Sequence, residues 1–70
     1  MTNRFVLNLN QQSNGDHEVH ESGCRNFPVS NYDELGNFYG CLAAGVEAKR
    51  KYPYIKINGC RHCAYLCHTS

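Results

Sequence analysis

The chain has 70 residues, is 41% hydrophobic, and carries a formal net charge of +1 with five cysteines and four histidines. That length allows one small domain, in which the core alone is marginal and a metal, a disulfide or a partner commonly adds stability. The near-neutral charge disfavours nucleic acid or an anionic membrane as the main partner, and no stretch approaches the ~20 apolar residues of a membrane span.

The opening Met1-Thr2-Asn3-Arg4-Phe5 starts no apolar run of signal-peptide type. This points to the cytoplasm, where thiols stay reduced. Residues 4–10 alternate, with Phe5, Leu7 and Leu9 on one face, Arg4, Asn8 and Asn10 on the other, and Val6 an exception. Asn14-Gly15 is a strong hairpin signal, and residues 16–22 return as a second strand. A two-residue loop would pair Leu9 with His20 and put Val19 on the polar face. A three-residue loop with Gly15 in a left-handed bulge pairs Leu9 with Val19 and Leu7 with Glu21, and apolar burial favours it. His17 and Val19 then face the core, while Glu18 and His20 face the other side and read as hairpin surface.

From 22 to 37 the chain is turn-rich, with a weakly signalled third strand near 33–37. Residues 38–52 predict the one helix, capped by Asn37 and stopped by Pro53. Its apolar stripe is Phe38, Cys41, Leu42, Gly45, Val46, Lys49 and Tyr52, widened by Ala48. Cys41 reads as a small buried hydrophobe, and Gly40 and Gly45 as points of close approach to the sheet. The basic Lys49, Arg50 and Lys51 suit the negative end of the helix dipole. Residues 54–58 alternate again, and Gly59 breaks the strand before a tail rich in cysteine and histidine.

That tail, Cys60-Arg61-His62-Cys63-Ala64-Tyr65-Leu66-Cys67-His68, holds three of the five cysteines. Thiolates at such spacing can converge on one soft cation. Cys60, Cys63 and Cys67 are therefore candidate metal ligands. Cys24, in an irregular turn, is the candidate fourth, and His68 is the runner-up. Zinc is the expected ion; an iron–sulfur cluster on the same cysteines is less favoured. Five cysteines cannot all pair within one chain, which favours thiolate chemistry over a disulfide frame. His17-Glu18-Val19-His20 is no metallohydrolase motif, since its histidines are three apart on a strand. No phosphate loop or nucleophile elbow is present, so no catalytic residue is assigned.

The opening Phe5-Val6-Leu7-Asn8 with Gln11 to Gly15, the run 17–20, and the ending Ile57-Asn58-Gly59-Cys60 with Cys67-His68-Thr69-Ser70 resemble a group of small uncharacterised bacterial proteins. The resemblance implies a bacterial origin and brings no activity.

The sequence thus predicts a single α+β domain over 1–70. It is a small antiparallel sheet of three to four strands with one helix on its apolar face, and a Cys/His-rich tail at 59–70. The expected role is a metal-binding structural or interaction module; the sequence names no partner, and a protein is the class left open. The alternatives are a thiol redox or disulfide-stabilised protein using Cys60 and Cys63, and a weak nucleic-acid binder using the basic helix end.

Overall fold

The computed structural model describes residues 1–68; Thr69 and Ser70, the end of the expected tail, lie outside the described residues. Four strands and one helix follow in the order β1 (Asn3–Asn8), β2 (Asp16–Glu21), β3 (Tyr32–Phe38), α1 (Cys41–Lys51) and β4 (Lys56–Gly59), and a 3-10 turn spans Tyr65–Cys67. The strands lie in the sheet order β3-β1-β2-β4. β1 pairs antiparallel with both β2 and β3, but β4 runs parallel to β2. The fold is the expected small α+β one, and the sheet is mixed rather than purely antiparallel. The helical connection explains this, because a strand that returns through a crossover helix can lie parallel to its neighbour.

The hairpin takes neither expected register. Leu7 pairs with Val19 and Phe5 with Glu21, two residues from the bulged pairing. A shift of two preserves the faces, so Val19 still lies with Leu7 and Phe5. The longer loop has its own bonds: the Gln12 amide donates to Asp16 O at 2.7 Å and the Gly15 amide to Gln12 O at 2.9 Å. Gly15 takes the left-handed conformation, at φ 94°. Meanwhile the Leu9 amide donates to Asn31 O and leaves the hairpin. In β3 the register shifts at Phe5/Val6, and Leu35 enters the core from the bulge.

Phe5, Leu7, Val19, Leu35, Ala44 and Ala48 form the core between sheet and helix, with Cys41, Tyr52 and Ile57 packed against it. The helix is rotated from its expected stripe, since Leu42 and Val46 are exposed and the alanines face the sheet. Ala44 and Ala48 allow close packing, and polar anchors hold the rotation. Lys51 Nζ lies 2.7 Å from Asp33 Oδ2, and the Tyr52 hydroxyl donates to the same oxygen at 2.8 Å. Asn37 belongs to β3, so Gly40 is the N-cap. Gly40 and Gly45 meet nothing within 4 Å of a built Cβ, so neither is a point of close approach. Gly59 is one instead: its Cβ would sit 2.7 Å from Ala64 O and 2.8 Å from Cys67 Cβ.

The sheet's other face is also covered. Val6 and His20, a cross-strand pair, are both fully buried there. On the same side the Arg4 guanidinium lies over the Phe27 and Tyr32 rings and pairs with Glu34 at 2.8 Å. The loop between β2 and β3 therefore forms a thin second layer, so His20 is not a surface residue.

Candidate metal centre

Three segments converge on this second layer. β2 contributes His20, because alternation turns Glu18 and His20 away from the helix. A tight turn follows, closed by the Cys24 amide to Glu21 O at 3.1 Å, with Gly23 at φ 94°. It folds Cys24 back towards His20. The parallel pairing of β4 places Gly59 beside Val19, and the Cys60 amide donates to Val19 O at 3.0 Å. Cys60 thereby continues β4 alongside His20. A further turn, the Ala64 amide to Cys60 O at 2.8 Å, returns Cys63 to the same place.

One donor atom from each of His20, Cys24, Cys60 and Cys63 lies within 4.8 Å of all the others. Cys24 Sγ and Cys60 Sγ are 3.8 Å apart, and Cys63 Sγ is 4.0 Å from His20 Nδ1. Zn–S bonds of about 2.3 Å put two sulfurs of a tetrahedral ion about 3.8 Å apart. Backbone amides support the sulfurs, Glu21 donating to Cys63 Sγ at 3.3 Å and Asn26 to Cys24 Sγ at 3.4 Å. Such donors favour the thiolate form.

The electrostatics suit a cation. Burial pushes the Cys60 thiol up, but amides of Cys63 and His62 and the neighbouring thiols outweigh it and leave the group lowered. Cys63 goes the other way, raised by burial first and then by its bonding to Cys24. Adjacent thiols that cannot all ionise alone do so readily around a divalent ion, which supplies the missing charge. Burial lowers His20 and keeps it neutral, the form that ligates. Its Nε2 is the buried side-chain atom with no hydrogen-bond partner among the described residues. The nearest carboxylate oxygen is Glu18 Oε1, at 3.5 Å. With Nδ1 towards the sulfurs and Nε2 towards a carboxylate, the ring is oriented as metal-bound histidines commonly are.

Of the residues expected from sequence, Cys24, Cys60 and Cys63 come together. Cys67 does not: its sulfur is disulfide-bonded to Cys41, and their Cα atoms are 6.3 Å apart. The reason is local. The 3-10 turn at Tyr65–Cys67 lays Cys67 over Gly59, beside the start of α1. Cys41 is accordingly half of a disulfide rather than a free buried thiol. The runner-up His68 places Nδ1 3.0 Å from Gly59 O. His20 is the donor that spacing along the chain misses; its one signal there is that Glu18 and His20 share the face away from the helix.

The basic helix end is occupied within the chain. Arg50 pairs with Glu47 at 2.7 Å, Lys51 with Asp33, and Lys49 Nζ donates to Ile55 O at 2.8 Å. No helix among the described residues is long and apolar enough to cross a membrane. No protein-family model matches the chain, and no curated protein or solved structure matches it significantly.

Proposed function

We propose that the chain is a small zinc-binding domain in which His20, Cys24, Cys60 and Cys63 hold one ion, and that the ion's role is structural. The observation that carries this reading is the convergence of four donor atoms, from separate parts of the chain, within 4.8 Å of one another. Three sulfurs and a neutral imidazole suit zinc among the common divalent ions. Donors so close leave room for one ion, whereas an iron–sulfur cluster would hold its terminal ligands further apart. The ion would fasten the segment after β4 to the hairpin, and metal-binding energy would become folding energy. The domain would then serve as a rigid interaction module for a protein partner.

A bacterial cytoplasmic setting belongs to the same reading. It would keep Cys24, Cys60 and Cys63 reduced for the ion, and would make the Cys41–Cys67 bond a candidate for exchange rather than a permanent bridge.

Native mass spectrometry of protein produced with both zinc and iron supplied is the direct test. One zinc per chain, with melting lowered on chelation, is the expected result. Metal-free protein whose melting is indifferent to added zinc and to chelator would refute the proposal.

A further inference from the structure

The metal reading uses three of the five cysteines and leaves the disulfide unexplained. Its position is specific. Cys41 is the first residue of α1 and Cys67 the last of the 3-10 turn, and both sulfur-bearing residues are only partly buried. Both line an open, mainly apolar cleft of about 450 Å³, whose other walls include Leu42, Val46, Ile57 and Leu66. Leu42, Val46 and Leu66 are exposed and lie outside the core of the described residues. A partly exposed disulfide on an open cleft is within reach of an attacking thiol, as a buried one is not.

The two sulfurs are not equivalent. The N-cap of α1 is Gly40, which offers no side-chain acceptor, and the first turn holds no acidic residue. Neither the cap nor the first turn therefore supplies an anion to the amides at the helix start, and a thiolate on Cys41 would lie at the positive end of the helix dipole. Cys67 ends a three-residue 3-10 turn and is not the first residue of a helix. Attack on a disulfide proceeds faster when the better-stabilised thiolate departs.

We infer that Cys41–Cys67 is an exchangeable disulfide that accepts electrons from apolar-flanked peptide dithiols seated in this cleft. In the first step a substrate thiolate attacks Cys67 Sγ. A substrate–Cys67 bond forms, the Cys41–Cys67 bond breaks, and the electron pair leaves on Cys41 Sγ. In the second step the substrate's other thiolate attacks its own sulfur in the mixed disulfide, and Cys67 departs as thiolate. The two protons released by the substrate thiols are taken up by Cys41 and Cys67. The substrate leaves as a disulfide and the protein as a dithiol, with no further oxidant needed for one turnover.

The test uses the full zinc-loaded chain, a peptide with one cysteine between leucine and phenylalanine, so that the second step cannot occur, and iodoacetamide to trap the freed thiolate before it reverses the first. Peptide mapping by mass spectrometry should find the peptide adduct on Cys67 and the alkyl group on Cys41. No adduct, or an adduct on Cys41, would overturn the inference. After reduction, Cys41 should alkylate about tenfold faster than Cys67 at pH 7, and Gly40→Asp, which adds an anion at the helix start, should remove most of that difference. Leu66 is 94% exposed, so Leu66→Lys should leave folding intact. It should slow the apolar peptide relative to glutathione; equal slowing of both would overturn the role of the cleft. Zinc content read in the same samples separates the two proposals. Exchange through Cys67 without bound zinc would sink the metal reading alone, and retained zinc with an inert disulfide would sink this one alone.

Discussion

Glu18 gives the sharpest test of the proposed metal centre because it is not one of the four candidate ligands. Its Oε1 lies 3.5 Å from the buried, otherwise unpartnered Nε2 of His20. If Nδ1 ligates an ion, the Nε2–H needs this acceptor, and the carboxylate fixes the tautomer and raises the ring's donor strength. Glu18→Gln keeps the side chain's shape and removes the charge. Loss of such an outer partner typically weakens metal affinity by about 10- to 100-fold. That is about 1.4–2.7 kcal/mol of ligand-linked stabilisation when zinc is in excess. For a domain of this size about 1 kcal/mol moves the melting temperature by about 4–8 °C, so a fall of about 6–20 °C is expected in zinc-loaded protein. The assay is paired. Zinc affinity comes from competition with a chromophoric chelator, and melting is followed with and without zinc. The metal-free variant should melt close to the metal-free parent. Unchanged zinc affinity, or an equal fall in melting with and without the ion, would refute the role given to Glu18 and the orientation given to His20.

Cys24→Ser should lower zinc affinity and stability together, while His68→Ala, which loses one bond to Gly59 O, should cost only about 1 kcal/mol and leave zinc content unchanged; both are read by metal analysis and urea unfolding. Gly59→Ala would drive a methyl to within 2.7 Å of Ala64 O and 2.8 Å of Cys67 Cβ, so it should destabilise by about 1–3 kcal/mol in denaturant titrations, and a neutral result would mean that the tail does not pack on β4. Hydrogen bonds from Lys51 and then Tyr52 hold the Asp33 carboxyl below its ordinary value. Its contribution is therefore complete above about pH 4 and is lost as pH falls through the lowered value. Asp33→Asn should flatten that part of the acid limb, and an unchanged limb would show that the cluster adds nothing.

Much of the backbone is legible in the sequence. Alternation at Phe5 and Leu7 gives β1 its core face, and preserved parity keeps Val19 on that face although the register moves by two. Local signals specify faces well, because side chains alternate with a fixed period of two. They specify pairing poorly, because the hairpin loop can lengthen once Leu9 finds a partner in Asn31. The helix is legible as a helix from its spacing and from Pro53. Its rotation is not, since Leu42 and Val46 score as apolar whether buried or exposed. Ala44, Ala48 and the Asp33 anchor decide it, through packing distance and a pair of polar bonds.

The site divides along the same line. The sequence alone determined that cysteines this dense in a small chain call for a cation or a bond, and it grouped Cys24, Cys60 and Cys63 with Cys67 as candidates. Only the tertiary structure decided the rest. Parallel pairing of β4 with β2 sets Cys60 beside His20 and brings a histidine on a strand face within reach of the three sulfurs. The 3-10 turn over Gly59 carries Cys67 to Cys41 instead. Spacing along a chain limits which neighbours can meet locally, but contacts between residues some 40 positions apart depend on which strands pair, and that is settled by burial of the whole core.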